Sequence, residues 1–185
     1  MCGRFGLALN DEDLAELLDL DDVPHLESDH NITPGRTITA LRQVESKAQL
    51  TALKWGLVPF WAKDRKIGNR LINARSETVA EKPSFRNAFR KRRCLIPTDG
   101  FYEWRKEGKR SQPYHIGLKK GRGFCMAGLW EHWVDRETGE VIESCTVLTT
   151  EANPLIAPIH GRMPVILPRQ MHGTWLNAST PLPSE

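Results

Sequence analysis

Residues 94–104 read Cys94-Leu95-Ile96-Pro97-Thr98-Asp99-Gly100-Phe101-Tyr102-Glu103-Trp104. Apolar and aromatic residues dominate this stretch, so it reads as a strand. The polar run Arg105–Gln112 reads as a hairpin connection, and Tyr114–Leu118 as the returning strand. Phe124–Trp133 and Ser144–Thr149 add two more strands around a turn at Asp135–Glu143. Upstream, Thr37–Val44 and Leu50–Val58 form another pair around the polar Glu45–Ala48. Cys2–Leu9 reads as extended and partly buried, Leu71–Ala74 as a short apolar lead-in to Arg75, and Pro164–Leu167 as a late strand. His30–Gly35 has turn chemistry, because Pro34 and Gly35 together break regular structure. Pro59–Asn69 is a charged loop.

The predicted helices are short. One is capped by Asn10 or Asp11, with Leu14, Leu17 and Leu18 on its apolar face. The others are Pro83–Lys91, where Phe85 and Phe89 lie four apart, Asn153–Ile159 and Arg169–Asn177. Strands outnumber helices and do not alternate with them. The expected class is therefore α+β: a curved, mostly antiparallel, barrel-like sheet with short flanking helices.

A chain of 185 residues with ordinary globular composition fits one domain. We place that domain at 1–177, with a flexible tail at 178–185. No apolar run approaches the ~20 residues that span a bilayer, and no signal peptide is visible. Cys94, Cys125 and Cys145 sit in apolar stretches without metal or redox spacing. They read as buried thiols in a reducing compartment.

Charge is unevenly distributed. Between Asp11 and Asp29 there are acids but no Lys or Arg. From Lys54 to Arg93 the balance reverses, and only Asp64, Glu77 and Glu81 interrupt a run of basic residues. Such a block reads as one face for a polyanion, or else as a solvated surface.

The chain opens Met1-Cys2-Gly3-Arg4. Initiator methionines are usually removed before a small side chain, which would leave Cys2 with a free α-amine beside its thiol. These groups titrate near ~8 and ~8.5, so both are partly nucleophilic at neutral pH. Together they can trap an aldehyde: the amine forms a Schiff base, and the sulfur closes a thiazolidine. Cysteine also occurs at that position by chance.

Three further stretches carry candidate chemistry. Asn73-Ala74-Arg75 sets an amide beside a guanidinium, as phosphate recognition requires; a strand-end Asn and a surface Arg would look the same. In Asp99–Trp104, Glu103 lies among aromatic residues. Desolvation there would raise its pKa toward the range useful for proton transfer, unless strand alternation turns it outward. His160-Gly161-Arg162-Met163-Pro164 follows Pro158 in a turn. His160 there can shuttle protons and Arg162 can hold an anion, although a lone histidine is often structural. Trp61 could stack on an unpaired base or serve as a core aromatic. There is no P-loop, dinucleotide fingerprint or G-x-S-x-G elbow, and the histidines lack zinc spacing, so neither a cofactor nor a metal is expected.

Six ordered blocks carry a resemblance: Met1–Phe5, Asn31–Gly35, Trp55–Pro59, Ile72–Thr78, Pro97–Trp104 and His160–Pro164. Taken together they resemble the SOS-response-associated peptidase (SRAP) family, from Met1 to about Trp175. The resemblance implies a sensor of abasic sites in single-stranded DNA. Such a sensor bonds covalently to the ring-opened sugar aldehyde through Cys2, and it has associated lyase and self-processing peptidase activities. It also implies that Asn73 orients the cysteine and the sugar. Glu103 would move the ring-opening proton, and His160 would assist Schiff-base chemistry and reversal. Arg4, Arg75 and Arg162 would hold phosphates. Pro34, Trp61 and Asn73 would join them at the DNA interface. Some relatives carry two adjacent tryptophans where this chain has Trp61-Ala62, so weaker stacking is expected. A monomeric, cytoplasmic protein, nucleoid-associated if bacterial, is the implied setting. Two other readings stay open: an N-terminal-nucleophile peptidase or amidohydrolase, and a non-catalytic nucleic-acid-binding module.

Overall fold

A computed structural model describes residues 2–45, 47–120 and 122–178. The expected flexible tail lies, beyond Ala178, outside the described residues. Among the described residues twelve strands form two sheets. In chain order they are β1 (Phe5–Leu7), β2 (Asp29–Ile32), β3 (Thr37–Val44), β4 (Lys47–Trp55), β5 (Asn73–Arg75) and β6 (Arg93–Thr98). They continue as β7 (Gly100–Glu107), β8 (Arg110–Ile116), β9 (Phe124–Val134), β10 (Val141–Glu151), β11 (Arg162–Pro164) and β12 (Ile166–Leu167). The helices are α1 (Asp11–Leu18), α2 (Arg86–Lys91) and α3 (His172–Leu176).

The larger sheet runs β11-β10-β4-β3-β6-β9-β12, with β5 added to β10. It closes on itself because β10 also pairs with β9, which makes β10-β4-β3-β6-β9 a five-stranded ring. Its seam between β10 and β4 is parallel, with Ser144 opposite Lys54. The other ring pairings are antiparallel. The second sheet, β2-β1-β7-β8, is antiparallel throughout. This is the α+β, barrel-like architecture expected from the strand count. Trp55, Leu53, Leu95, Ile96, Met126, Leu129 and Val147 are buried in the core, as are Cys94, Cys125 and Cys145.

The stretch 94–104 is not one strand. It ends β6 in the barrel and begins β7 in the other sheet. Thr98 satisfies backbone groups at the crossing. Its buried hydroxyl lies 2.7 Å from the Gly6 carbonyl and accepts the Gly100 N–H at 3.0 Å. The Asp99 N–H also donates to the Gly6 carbonyl. A buried backbone must satisfy its hydrogen bonds, and here one hydroxyl and one carbonyl do so across the sheet boundary.

Other boundaries moved for local reasons. The β3–β4 hairpin is tight, with Val44 opposite Lys47, so β4 starts earlier than the expected Leu50 and ends at Trp55. His30 and Asn31 belong to β2 rather than to a turn. The turn proper is Thr33–Arg36, with Gly35 at φ +87° and the Arg36 N–H donating to the Thr33 carbonyl. Residues 153–159 form successive turns, not a regular helix. The end segment splits into a 3-10 turn at Arg169–Met171 and α3. α1 starts as expected: the Asn10 side chain accepts the Asp13 N–H at 2.7 Å, and Leu14 and Leu18 are buried.

The loop between β4 and β5 is anchored by two glycines packed backbone to backbone. A Cβ on Gly68 would sit 2.6 Å from the Gly56 oxygen and 3.2 Å from Val58 Cγ2. Gly56 itself has φ +129°. Gly68→Ala should therefore destabilise the fold by about 2 kcal/mol through overpacking. The check is a urea denaturation midpoint; a midpoint equal to the parent's would mean the two backbones are not in contact.

Candidate active site

The site forms where the two sheets meet. β1 pairs with β7, placing Phe5 opposite Phe101, and the Tyr102 N–H donates to the Arg4 carbonyl at 2.8 Å. This pairing carries the leading residues alongside β7 and buries Cys2 completely. β5 lies parallel to β10, with Asn73 opposite Val147. From there Asn73 Nδ2 donates to the Cys2 carbonyl at 2.9 Å, linking the barrel to the second sheet.

Glu103 is on β7, on the same face as Phe101, and both are buried. Its carboxylate is 3 % exposed. Strand alternation turns this carboxylate inward, and Tyr102 and Trp104 take the other face. The Tyr102 hydroxyl donates to the His30 carbonyl at 3.0 Å. His160 arrives from the turns before β11. Its Nδ1 lies 3.9 Å from Glu103 Oε1, beyond hydrogen-bond range but close enough for electrostatic contact. The structure thus brings Cys2, Asn73, Glu103 and His160 together. Among the described residues no group of three His, Cys, Asp or Glu side chains could hold a metal ion.

Burial sets the state of the sulfur. The Cys2 thiol is pushed up to about 12, first by desolvation and then by the charge of Glu103, against an Arg4 backbone hydrogen bond that favours the thiolate. Desolvation disfavours any charged form and a neighbouring carboxylate disfavours a second anion, so both act in one direction. At neutral pH this sulfur is a neutral thiol. Cys94, Cys125 and Cys145 are likewise raised by burial and are inert packing groups.

The arginines differ in what they leave available. Arg4 places its guanidinium 5.2 Å from the Trp104 ring centroid, a cation–π contact that orients it. Arg75 is exposed at the end of β5. Arg162 is committed to protein: its guanidinium makes a two-pronged pair with Glu77 at 2.7 and 2.9 Å and donates to the Thr149 carbonyl at 2.6 Å. Sequence reasoning gave Glu77 no role. Its signal was a lone acid two residues after Arg75 in a basic block.

Pro34 and Trp61 are surface residues rather than members of the buried cluster. Trp61 is 43 % exposed, and its indole N–H donates to the Pro83 carbonyl at 3.3 Å. It lines a cavity of about 730 Å³ with Ile67, Lys63, Lys66 and Arg70. The basic block does not form one continuous face. Arg92 pairs with the buried Glu131 at 2.6 Å. Arg93 is buried against Phe89 and Trp175 and donates to the Phe89 carbonyl. Arg65 pairs with Glu140. Lys63, Lys66, Arg70 and Arg75 remain exposed.

A sequence profile described as SOS response associated peptidase (SRAP) matches residues 1–185. Abasic site processing protein YoaM of Bacillus subtilis is 41% identical over 187 residues, covering 99% of this chain and 82% of that protein. Abasic site processing protein YoqW of Bacillus subtilis is 44% identical over 181 residues, covering 96% of this chain and 80% of that protein. Among solved structures, a protein from Bacteroides thetaiotaomicron superposes with a TM-score of 0.83 at 30% identity, covering 96% of this chain and 82% of that one. A protein from Bordetella bronchiseptica gives 0.80 at 30% identity, covering 96% and 89%.

The thiol's environment makes a test independent of any substrate. In protein that retains Met1, Cys2 should react with iodoacetamide more than ~100-fold slower than an exposed thiol near neutral pH, because so little thiolate is present. Its rate should keep climbing well past ~8.5, where an ordinary thiol levels off. Glu103→Gln removes the repelling charge and should speed labelling at fixed pH. Peptide mapping by mass spectrometry reads this at Cys2. Identical labelling rates in parent and variant would separate the carboxylate from the sulfur.

Proposed function

Because the chain belongs to the SOS response associated peptidase (SRAP) family, we propose that it processes abasic sites in DNA, forming a covalent crosslink through Cys2 once Met1 has been removed. The observation that carries this reading is the convergence of a buried cysteine, an amide on its carbonyl, a buried carboxylate and a histidine.

The chemistry follows from the parts. An abasic sugar is mostly a closed hemiacetal. Glu103 transfers the proton that opens it, exposing the C1′ aldehyde. The liberated α-amine of Cys2 then attacks the aldehyde carbon. Loss of water gives a Schiff base, and the sulfur adds to the C=N carbon while its proton passes to nitrogen. The product is a thiazolidine. Nitrogen is the first nucleophile in this order, because the Schiff base must form before sulfur can close the ring on its carbon. Asn73 holds the Cys2 carbonyl and thereby the orientation of both reacting atoms. His160 moves protons during Schiff-base formation and reversal. Lyase and self-processing activities draw on the same groups.

Cations beside the site supply the DNA contact. Arg75, directly beyond Asn73, and Arg4, held over Trp104, suit the phosphates flanking the lesion. Trp61 offers a stacking surface beside Lys63, Lys66 and Arg70. An abasic single strand is the least costly substrate, because no stacked base has to be extracted.

Incubating Met1-free protein with abasic single-stranded DNA should give a denaturant-resistant band and the mass of protein plus DNA less water. Cys2→Ala should form no such band yet keep its affinity for the strand. Arg75→Ala should weaken binding and reduce the slope of log affinity against log salt by about one. Steady peptide turnover without an adduct would instead favour the N-terminal-nucleophile peptidase.

A further inference from the structure

Glu77 has no task in that chemistry, yet it is tightly engaged. It lies in the 3-10 turn Ser76–Thr78 directly after β5. Its two oxygens take Nη1 and Nη2 of Arg162, and hydrogen bonds from that guanidinium hold its carboxyl below the usual range. The Arg162 side chain is 17 % exposed, while that of Glu77 is 45 % exposed. A planar guanidinium gripped on two prongs, and again by the Thr149 carbonyl, has little freedom to rotate.

The backbone of Arg162 reaches the site. Its N–H donates to His160 Nδ1 at 3.0 Å, and its carbonyl oxygen lies 3.2 Å from the same nitrogen. With Nδ1 accepting that N–H, the shorter of the two contacts, the neutral ring carries its proton on Nε2. When Nδ1 gains a proton, the carbonyl of the same residue can accept it. One residue therefore seats both protonation states of the ring without moving it. β11 pairing, with Glu151 opposite Arg162, fixes the strand; the side-chain clamp resists rotation of that residue within it.

We propose that Glu77 is a positioning residue of the crosslinking site. By clamping Arg162, it keeps the Arg162 backbone against His160 Nδ1 and makes Nε2 the nitrogen that presents the proton. The catalytic part of this inference rests on the abasic-site reading; the seating of His160 does not. An alternative is that Glu77 merely cancels the charge of Arg162 and weakens DNA binding.

The test uses full-length, Met1-free protein carrying Glu77→Gln or Glu77→Asp. Three quantities are read: the maximal crosslinking rate on abasic single-stranded DNA, the half-saturating DNA concentration, and the ¹⁵N resonances of His160 without DNA. Glu77→Gln should lower the maximal rate about tenfold, a fraction of the roughly 100- to 10,000-fold that positioned acid–base groups contribute, and leave half-saturation within about twofold. The Nδ1 resonance should move away from the pure acceptor position. Glu77→Asp keeps the charge and should recover part of both effects. It also serves as the deciding variant if Glu77→Gln loses its folded spectrum, and it should then show the same shifts at smaller size. Unchanged rate and unchanged His160 resonances would overturn the proposal. So would tighter DNA binding at an unchanged rate, which is the signature of charge cancellation. If the parent forms no adduct at all, the functional reading fails, and the His160 resonances still decide whether Glu77 seats the ring.

Discussion

The complete burial of Cys2 between the two sheets is the constraint on which the rest depends. A residue so near the leading end of a chain is ordinarily exposed. Here β1 pairing draws it inward, and one hydrogen bond from Asn73 fixes its carbonyl. Burial makes the sulfur a poor anion, and Glu103 makes it poorer. A thiol held neutral in this way does not alkylate or oxidise at random.

A buried carboxylate and an anchored histidine follow from the same geometry. Because β1 and β7 lie side by side, the inward face of β7 at Phe101 and Glu103 is the wall of the space that holds Cys2. Leaving a carboxylate there is costly unless nearby groups compensate. His160 Nδ1 approaches it to 3.9 Å, and the backbone N–H and carbonyl of Arg162 contact the same ring nitrogen. The site therefore runs from a buried carboxylate at Glu103 to a part-exposed histidine and a Glu77–Arg162 pair that reaches solvent.

Much of this was legible in the sequence, because strands report themselves through local composition. The existence of most strands, the Asn10 cap and three of the four short helices could be read directly. The crossing at Thr98–Gly100 could not. It depends on which distant backbone, that of Gly6, stands ready to accept a hydrogen bond. The four clustered residues were named from motif blocks, but their convergence needs the β5–β10 and β1–β7 pairings, which are non-local. The basic block misled in part: Arg92 and Arg93 are consumed by Glu131 and by aromatic packing. A run of charges does not disclose which of its members face inward. Glu77 was invisible for the complementary reason. An acid among bases reads as a minor interruption until its partner, far away in sequence, is known.

β10 explains why the barrel and the site are one construction. Its first half is flanked by β4 on one edge and β9 on the other, which closes the ring. Farther along, β5 replaces β4 and β11 takes the other edge. The single strand that seals the barrel therefore continues out of it carrying the Asn73 strand on one side and the strand that follows His160 on the other. Thr149 sits at this junction, opposite both Arg75 and Pro164, and its carbonyl receives the Arg162 guanidinium. A slip of one residue in β10 would repack Ser144–Thr149, which are buried on both faces of the strand. It would also shift Asn73 against Cys2 and Thr149 against Arg162. The packing demand of the core thus sets the register of the site.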